Sequence, residues 1–120
     1  MKIVSIIGSG PVGSSLAILL ARAGYKINLF EKRSDVSQTS EGFPSISLLI
    51  SPRGQKIVKD LGLWEVFLQK AFPLTGRFRH LPTGDSVFMP YGKKNWVNYA
   101  VDRNTLADII FTEAKNTPNI

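Results

Sequence analysis

The sequence lacks cysteine and has only one histidine, His80, among its 120 residues. The absence of cysteine excludes a disulfide scaffold, a thiolate metal site, a redox dithiol and a cysteine nucleophile. A zinc site would need carboxylates for nearly all of its ligands, so we expect no metal. His80 has no candidate nucleophile beside it in the sequence, and we interpret it as a structural residue.

The sequence also lacks a hydrophobic run close to the roughly 20 residues that a membrane-spanning helix requires. The longest run, residues 16–21, has six. Lys2 followed by an apolar stretch is typical of a signal peptide, but the glycines and the proline between Gly8 and Gly13 interrupt that stretch. We therefore expect a cytoplasmic protein, and the sequence leaves membrane association open.

Neither sign of charge forms a block along the chain. Fifteen Lys and Arg face nine Asp and Glu, for a net charge of +6 that is spread over both halves. A nucleic-acid-binding tail is not indicated, so no nucleic-acid partner is expected. A basic surface suits an anionic small molecule such as a phosphorylated cofactor, although it is equally compatible with simple solvation. The length predicts one domain with one core.

The first thirty residues have the pattern of a βαβ unit. Residues 2–7 are β-branched and almost continuously apolar, as in a buried parallel strand. Residues 11–23 are rich in Leu and Ala and predict a helix that Gly24 ends. Residues 26–31 alternate polar and apolar side chains and predict a second strand. The crossover between the two strands is expected to be right-handed.

The rest of the chain alternates predicted loops, strands and helices. A polar loop is expected over residues 32–45, Ser51 and Pro52 open a helix that Gly62 stops, and Asp102 caps a later helix. Trp64 and Phe67 have helical spacing and are predicted core residues. The predicted strands are 45–50, 74–81, 86–90, 96–101 and one starting at 119–120, with 74–81 and 86–90 forming a hairpin; the predicted helices are 52–61, 63–70 and 103–115.

The strongest motif is Gly8-Ser9-Gly10-Pro11-Val12-Gly13, between a predicted strand and a predicted helix. In a dinucleotide-binding fingerprint Gly8 allows the tight turn, Gly10 lets the backbone approach a pyrophosphate, and Gly13 lets the helix pack closely on the strand. The free amides at the helix N-terminus then face the phosphates. The alternative is a glycine-rich turn in an unrelated α/β protein.

An acidic residue, Glu31, ends the second predicted strand eighteen residues after Gly13. In this motif the carboxylate accepts hydrogen bonds from a ribose diol. A 2′-phosphate is disfavoured beside Glu31 because two negative groups repel each other. These residues predict an adenine dinucleotide, and they do not separate FAD from NAD.

Several segments resemble those of the flavoprotein aromatic hydroxylases, and the resemblance covers essentially the whole chain. The FAD-binding start of that family resembles the stretch from Gly8 through residues 21–24 to Phe30-Glu31-Lys32-Arg33. More specific matches follow in order at residues 45–54, 61–63, 89–92 and 102–106. Within the family, the members that hydroxylate L-kynurenine are the most similar.

The resemblance implies an α/β fold class: a Rossmann-like FAD-binding domain with an antiparallel hairpin from the start of a substrate-domain sheet. The fold is expected to be incomplete, because the family's members are several-fold longer. The implied division is a dinucleotide-binding core over about 1–70, substrate-side strands over 71–101 and a return helix over 102–120.

The implied activity is FAD-dependent, NADPH-using hydroxylation of an aromatic amino acid, most closely L-kynurenine to 3-hydroxykynurenine. The chain corresponds to the N-terminal portion and is expected to be inactive alone, with the C-terminal portion as its partner. The alternative is a non-catalytic FAD- or NAD-binding module or subunit. An NAD-dependent dehydrogenase fits less well, because the second half has no recognisable proton-transfer residue.

The resemblance also implies individual site residues. Val12 and the amides around Gly13 lie on the FAD pyrophosphate together with Gly8 and Gly10, and Glu31 binds the adenosine ribose. Further cofactor contacts are implied for Lys32, Arg33 near the adenine, Leu49 through its backbone, and Arg103. Arg33 has the alternative of an exposed loop charge.

Arg77 and Tyr91 match the family's substrate pair, which would bind the amino acid's carboxylate. The alternative for Arg77 is the solvent face of a strand. No residue is expected to act as a catalytic acid or base, because the cofactor performs the difficult chemistry.

Overall fold

The computed structural model describes residues 2–33 and 46–120. The predicted loop over residues 32–45 falls almost wholly outside these ranges. The strands are β1 (Ile3–Ile7), β2 (Lys26–Phe30), β3 (Ser47–Ile50), β4 (Phe72–Leu74), β5 (Gly76–His80), β6 (Ser86–Pro90) and β7 (Asn98–Asp102). The helices are α1 (Pro11–Arg22), α2 (Pro52–Asp60), α3 (Trp64–Leu68) and α4 (Arg103–Asn116). No helix in the described part of the chain has the length and apolar character needed to cross a bilayer.

The predicted βαβ unit is present. Strands β1 and β2 pair in parallel, in a register that runs from Ile3 opposite Lys26 to Ile7 opposite Phe30. Helix α1 connects them, and Gly24, at φ +88°, follows its end in the left-handed conformation that glycine tolerates best. The α/β fold class is therefore confirmed.

The antiparallel strands differ in part from the predicted boundaries. Strand β7 is central in a three-stranded sheet, between β3 and β4. The prediction of one strand over residues 74–81 is wrong, because residues 72–74 pair with β7 while residues 76–80 pair with β6. Thr75 separates the two segments, and each belongs to a different sheet. The hairpin of β5 and β6 is confirmed; it forms a separate sheet, with Phe78 and Phe88 packed at a centroid distance of 5.2 Å.

Of the predicted helix starts at Asp102 and Ser51 and the predicted strand at residues 119–120, the structure confirms the first, gives the second a different basis and contradicts the third. Asp102 caps α4 as predicted, its Oδ1 accepting hydrogen bonds from the amides of Asn104 and Thr105. Ser51 lies at the N-cap of α2, but its side chain makes no capping hydrogen bond, so the fixed φ of Pro52 is the start signal. The predicted strand at residues 119–120 is wrong: Asn119 has φ +73°, which extended backbone does not adopt, and its carbonyl accepts one bond from the Ile27 amide.

Helix α1 lies between two hydrophobic clusters. Ala17 and Ala21 pack against Ile6 and Ile27 of the parallel sheet. Ile18, which is fully buried, faces a larger cluster that α2, α3, β7 and α4 complete. That cluster comprises Ile18, Val58, Leu61, Leu63, Phe67, Val101, Leu106, Ile110 and Ala114. Phe67 is fully buried and Trp64 packs on it, so the predicted core role of both residues is confirmed. The shared core fixes α4 beside the βαβ unit.

Candidate functional site

The turn between β1 and α1 requires glycine at two positions. Gly8 has φ +97°, and its amide donates a hydrogen bond of 2.7 Å to the Phe30 carbonyl, which continues the contact between the two strand ends. A Cβ on Gly13 would lie 1.9 Å from the Gly8 carbonyl oxygen, a distance that no side chain can occupy. Gly8 therefore shapes the turn, and Gly13 lets α1 lie against it, as the fingerprint predicts.

Gly10 has a different reason to be glycine. Its φ of −66° suits any residue, and a Cβ built on it meets no atom within 4 Å. Gly10 instead lines an open cavity, where the missing side chain leaves room for a ligand to reach the backbone. Beyond it, the first backbone bond of α1 is donated by Ser14 to the Gly10 carbonyl. The amides of Val12 and Gly13 come before that bond and have no acceptor within the helix, as an anion site needs.

Glu31 follows β2, and its side chain is 14% exposed. The carboxylate accepts hydrogen bonds from the Ser9 amide at 3.0 Å and the Ser9 hydroxyl at 2.9 Å. On its other side, Arg33 donates from its backbone amide, Nε and Nη2 at 3.0, 3.0 and 3.2 Å. The Arg33 side chain, followed by the Arg33 amide and Ser9, holds the pKa of Glu31 well below its ordinary value. Glu31 is an anion at neutral pH.

Ser9 and Ser14 are functional-site residues that the sequence reasoning missed. Ser9 is fully buried, and the hydroxyl of Ser14 donates to the Ser9 carbonyl at 2.8 Å. The two serines thus connect the first turn of α1 to the glycine loop and, through Ser9, to Glu31. The signal available in the sequence was a small hydroxyl residue between the first two glycines of the motif.

A cavity of about 760 Å³ lies over the glycine turn, within the size range of small-molecule sites. It brings together Gly8, Gly10, Glu31, Lys32, Arg33 and Arg103, with Ile7 and Phe30 completing its lining. Arg103 arrives from the start of α4, where its amide donates to the Ile46 carbonyl at 3.0 Å. Three cationic side chains and one carboxylate face this space, and that balance suits a diphosphate joined to a ribose. The residues present therefore fit the ADP half of a dinucleotide.

Three predicted cofactor residues do not line this cavity. The side chain of Val12 is 82% exposed and borders a separate apolar groove between α1, α2 and α4. Gly13 lies beneath the turn, and Leu49, 47% exposed, lies in β3 opposite Ala100. Val12 and Gly13 lie in the first turn of α1, so their predicted contacts with the pyrophosphate depend on their backbone amides.

The predicted substrate residues lie on the hairpin. Arg77 in β5 pairs with Met89 in β6, and Tyr91 follows two residues later, so Arg77 and Tyr91 share one face by register. The Tyr91 amide donates to the Thr75 carbonyl at 2.9 Å. Neither side chain lines the cavity over the glycine turn. His80 is exposed at the end of β5, with its Nδ1 2.7 Å from the Ser86 hydroxyl.

The fold and the site together define a dinucleotide-binding protein. The fold is similar to that of 2-methyl-3-hydroxypyridine-5-carboxylic acid oxygenase, with a TM-score of 0.80 and 19% identity over 98% of this chain and 30% of that one. It is also similar to p-nitrophenol 4-monooxygenase from Pseudomonas putida DLL-E4, with a TM-score of 0.74 and 18% identity over 99% of this chain and 31% of that one.

The chain belongs to the FAD binding domain family, whose model matches residues 1–110. FAD is therefore its cofactor, which confirms that prediction and decides between FAD and NAD. The chain is 39% identical over 119 residues to kynurenine 3-monooxygenase of Myxococcus xanthus, covering 98% of this chain and 26% of that enzyme. It is 36% identical over 120 residues to that of Anopheles gambiae, covering 98% and 24%. The chain thus spans about a quarter of the length of the curated relatives it matches.

The two kinds of glycine in the turn are separable by substitution. Gly13→Ala forces a methyl group against the Gly8 carbonyl and is expected to lower the free energy of unfolding by about 1–3 kcal/mol or more. Gly10→Ala meets no neighbour, so it should lower the melting temperature less than Gly13→Ala does, while its affinity for FAD falls. Thermal unfolding and calorimetric titration measure the two effects. Equal melting temperatures for the two variants would contradict this explanation of the motif.

The Glu31 network has a pH signature. Because the folded state depresses the pKa of Glu31 below the ordinary value of 4.5, the network's stabilisation is present above that pH and is lost as the pH falls below it. The difference in unfolding free energy between the parent chain and Glu31→Gln should therefore shrink between about pH 5 and pH 3. Urea denaturation across that range measures it. A difference that does not change with pH would show that the carboxylate's charge is not what the network stabilises.

Proposed function

We propose that the chain is the FAD-binding part of an aromatic-ring monooxygenase that converts L-kynurenine to 3-hydroxykynurenine with NADPH as co-substrate. The observation that carries the proposal is the 39% and 36% identity, over 98% of the chain, to two enzymes named kynurenine 3-monooxygenase. The fold is compatible with the broader class, since its structural neighbours include proteins named 2-methyl-3-hydroxypyridine-5-carboxylic acid oxygenase and p-nitrophenol 4-monooxygenase.

In this proposal the ADP half of FAD lies in the cavity over the glycine turn. The amides of Val12 and Gly13 receive the pyrophosphate at the N-terminus of α1. The carboxylate of Glu31 receives the adenosine ribose, and Lys32, Arg33 and Arg103 supply the positive charge around the phosphates and the adenine. Leu49 contributes through its backbone. When bound, FAD supplies the oxygen activation, after reduction by NADPH.

The substrate's carboxylate is assigned to Arg77 and Tyr91. A guanidinium offers two parallel hydrogen bonds to a carboxylate, and the tyrosine hydroxyl adds a third. Their common face on the β5–β6 hairpin supports this pairing. The role of these residues is to orient the ring, because no side chain of the site is assigned a proton transfer.

A non-catalytic FAD-binding module or subunit is the second candidate. The observation in its favour is that Glu31 and three cationic side chains line one cavity, whereas neither Arg77 nor Tyr91 lines it. A module that only holds the nucleotide half of FAD needs the first set of residues and not the second.

The 120-residue chain, assayed alone, separates binding from catalysis. It should bind FAD weakly and form no 3-hydroxykynurenine, because the described residues enclose neither the flavin ring nor the substrate. Adding the segment that corresponds to the rest of the longer relatives, in the same chain or in a separate one, should restore the activity. The assay measures product from L-kynurenine with FAD and NADPH. Product formed by the chain alone, at a rate above that of free flavin, would contradict this assignment.

The assignment of Arg77 is testable in that completed enzyme. Arg77→Ala should raise KM for L-kynurenine by about tenfold or more, because it removes a charge-assisted bidentate contact to the substrate's carboxylate. The FAD content should stay unchanged. Arg79→Ala is the matched control, since Arg79 lies two residues along the same strand and is also exposed. A KM for Arg77→Ala equal to that of the parent enzyme would place Arg77 on the solvent face.

A further inference from the structure

The acceptor capacity of Glu31 is already filled by the chain itself. Oε1 accepts from the amide and Nε of Arg33, and Oε2 accepts from the amide and hydroxyl of Ser9 and from Nη2 of Arg33. A carboxylate offers about four lone-pair positions, and five donors are present. A ribose diol brings two more donors, so it cannot bind Glu31 until some of these bonds break.

The donors differ in their freedom to leave. Ser9 is fully buried, and its carbonyl is held by the Ser14 hydroxyl, so both of its donors are fixed by the turn. The side chain of Arg33 is 52% exposed and ends a flexible stem. The guanidinium is therefore the group that yields, and its Nε and Nη2 occupy the two oxygens that a diol would take.

We propose that Arg33 is a specificity-determining residue that occupies the ribose position on Glu31 and yields it only to a ligand that also carries phosphate. The proposal rests on the assignment of Glu31 to the ribose. Arg33 then competes with nucleosides for Glu31, and it favours the binding of ligands that carry a diphosphate, FAD included.

The energetic reason is an unequal exchange. Hydrogen bonds between ionised partners are roughly twice as strong as neutral ones, and Arg33 to Glu31 is a bidentate pair of that kind. Replacing it with two ribose hydroxyls alone is unfavourable. A phosphate gives the released guanidinium a new anionic partner of matching geometry, in a cavity where Lys32 and Arg103 already favour the same anion.

A static bridging role for Arg33 predicts the opposite change in adenosine affinity. If the guanidinium stayed on Glu31 and also touched the ligand, its removal would weaken adenosine and ADP together. If Arg33 competes, its removal strengthens adenosine binding and weakens ADP binding. The sign of the change for adenosine therefore separates the two roles.

The experiment titrates the 120-residue chain with adenosine, ADP and FAD, using calorimetry and, for weak complexes, amide chemical shifts. Arg33→Ala should lower the ratio of ADP affinity to adenosine affinity by about tenfold, with adenosine itself bound more tightly. Arg33→Lys keeps the charge without the fork and should give an intermediate ratio. Arg79→Ala, an exposed arginine outside the cavity, should leave the ratio at the parent value. An unchanged ratio, or weaker adenosine binding, in Arg33→Ala overturns the proposal.

Two further measurements distinguish this inference from the site assignment on which it rests. Glu31→Gln should weaken ADP binding by about tenfold, the loss of a charged hydrogen bond. If ADP and FAD fail to bind the parent chain, or if Glu31→Gln leaves ADP affinity unchanged, the assignment of Glu31 falls and the inference falls with it. If Glu31→Gln weakens ADP while Arg33→Ala leaves the ratio unchanged, only the inference falls. In the ligand-free chain, Arg33→Ala should raise the pKa of the Glu31 carboxyl. The chemical shift of the carboxyl carbon measures this change, and a raised pKa confirms that the variant has released Glu31.

Discussion

The interaction on which the site depends is the junction between Ser9 and Glu31. Two hydrogen bonds from one buried residue fix the carboxylate, and a third, from the Gly8 amide to Phe30, fixes the backbone just before it. These bonds join the end of β1 to the end of β2, so the glycine turn and the acidic residue hold a constant separation. The position of α1, and with it the direction of its free amides, follows from the same junction.

A second constraint brings in the distant part of the chain. Arg103 reaches the cavity only because α4 packs against α1, through a core in which Ile18 and Ile110 are almost fully buried. An ion pair of 3.0 Å between Arg22 and Glu113 joins the same two helices at the surface, where its contribution is small. Apolar burial therefore supplies most of the free energy that positions a cation some seventy residues away from Glu31.

The features that the sequence could predict are those that local physics decides. Gly8 and Gly24 have positive φ, Asp102 caps its own helix, and β1 is apolar at four of its five positions. The errors concern partners that are distant in sequence. Nothing near Phe72 indicates that residues 72–74 pair with β7 and not with β6, and nothing near Ser9 shows that its hydroxyl bonds a residue twenty-two positions later. Arg103 was placed at the site by family resemblance, since its local pattern shows only the start of a helix.

The three glycines of the fingerprint are required for different reasons, and this difference determines which of them can be substituted during evolution. Gly8 and Gly13 are required by the folded chain itself, one by its positive φ and the other by the carbonyl 1.9 Å from its absent Cβ. Gly10 is required only by a ligand in the cavity that it lines. In a lineage that retained the fold but no longer needed the cofactor, purifying selection would relax first at Gly10. A substitution of the middle glycine, Gly10, would thus be the first sign in the sequence that the function had been lost.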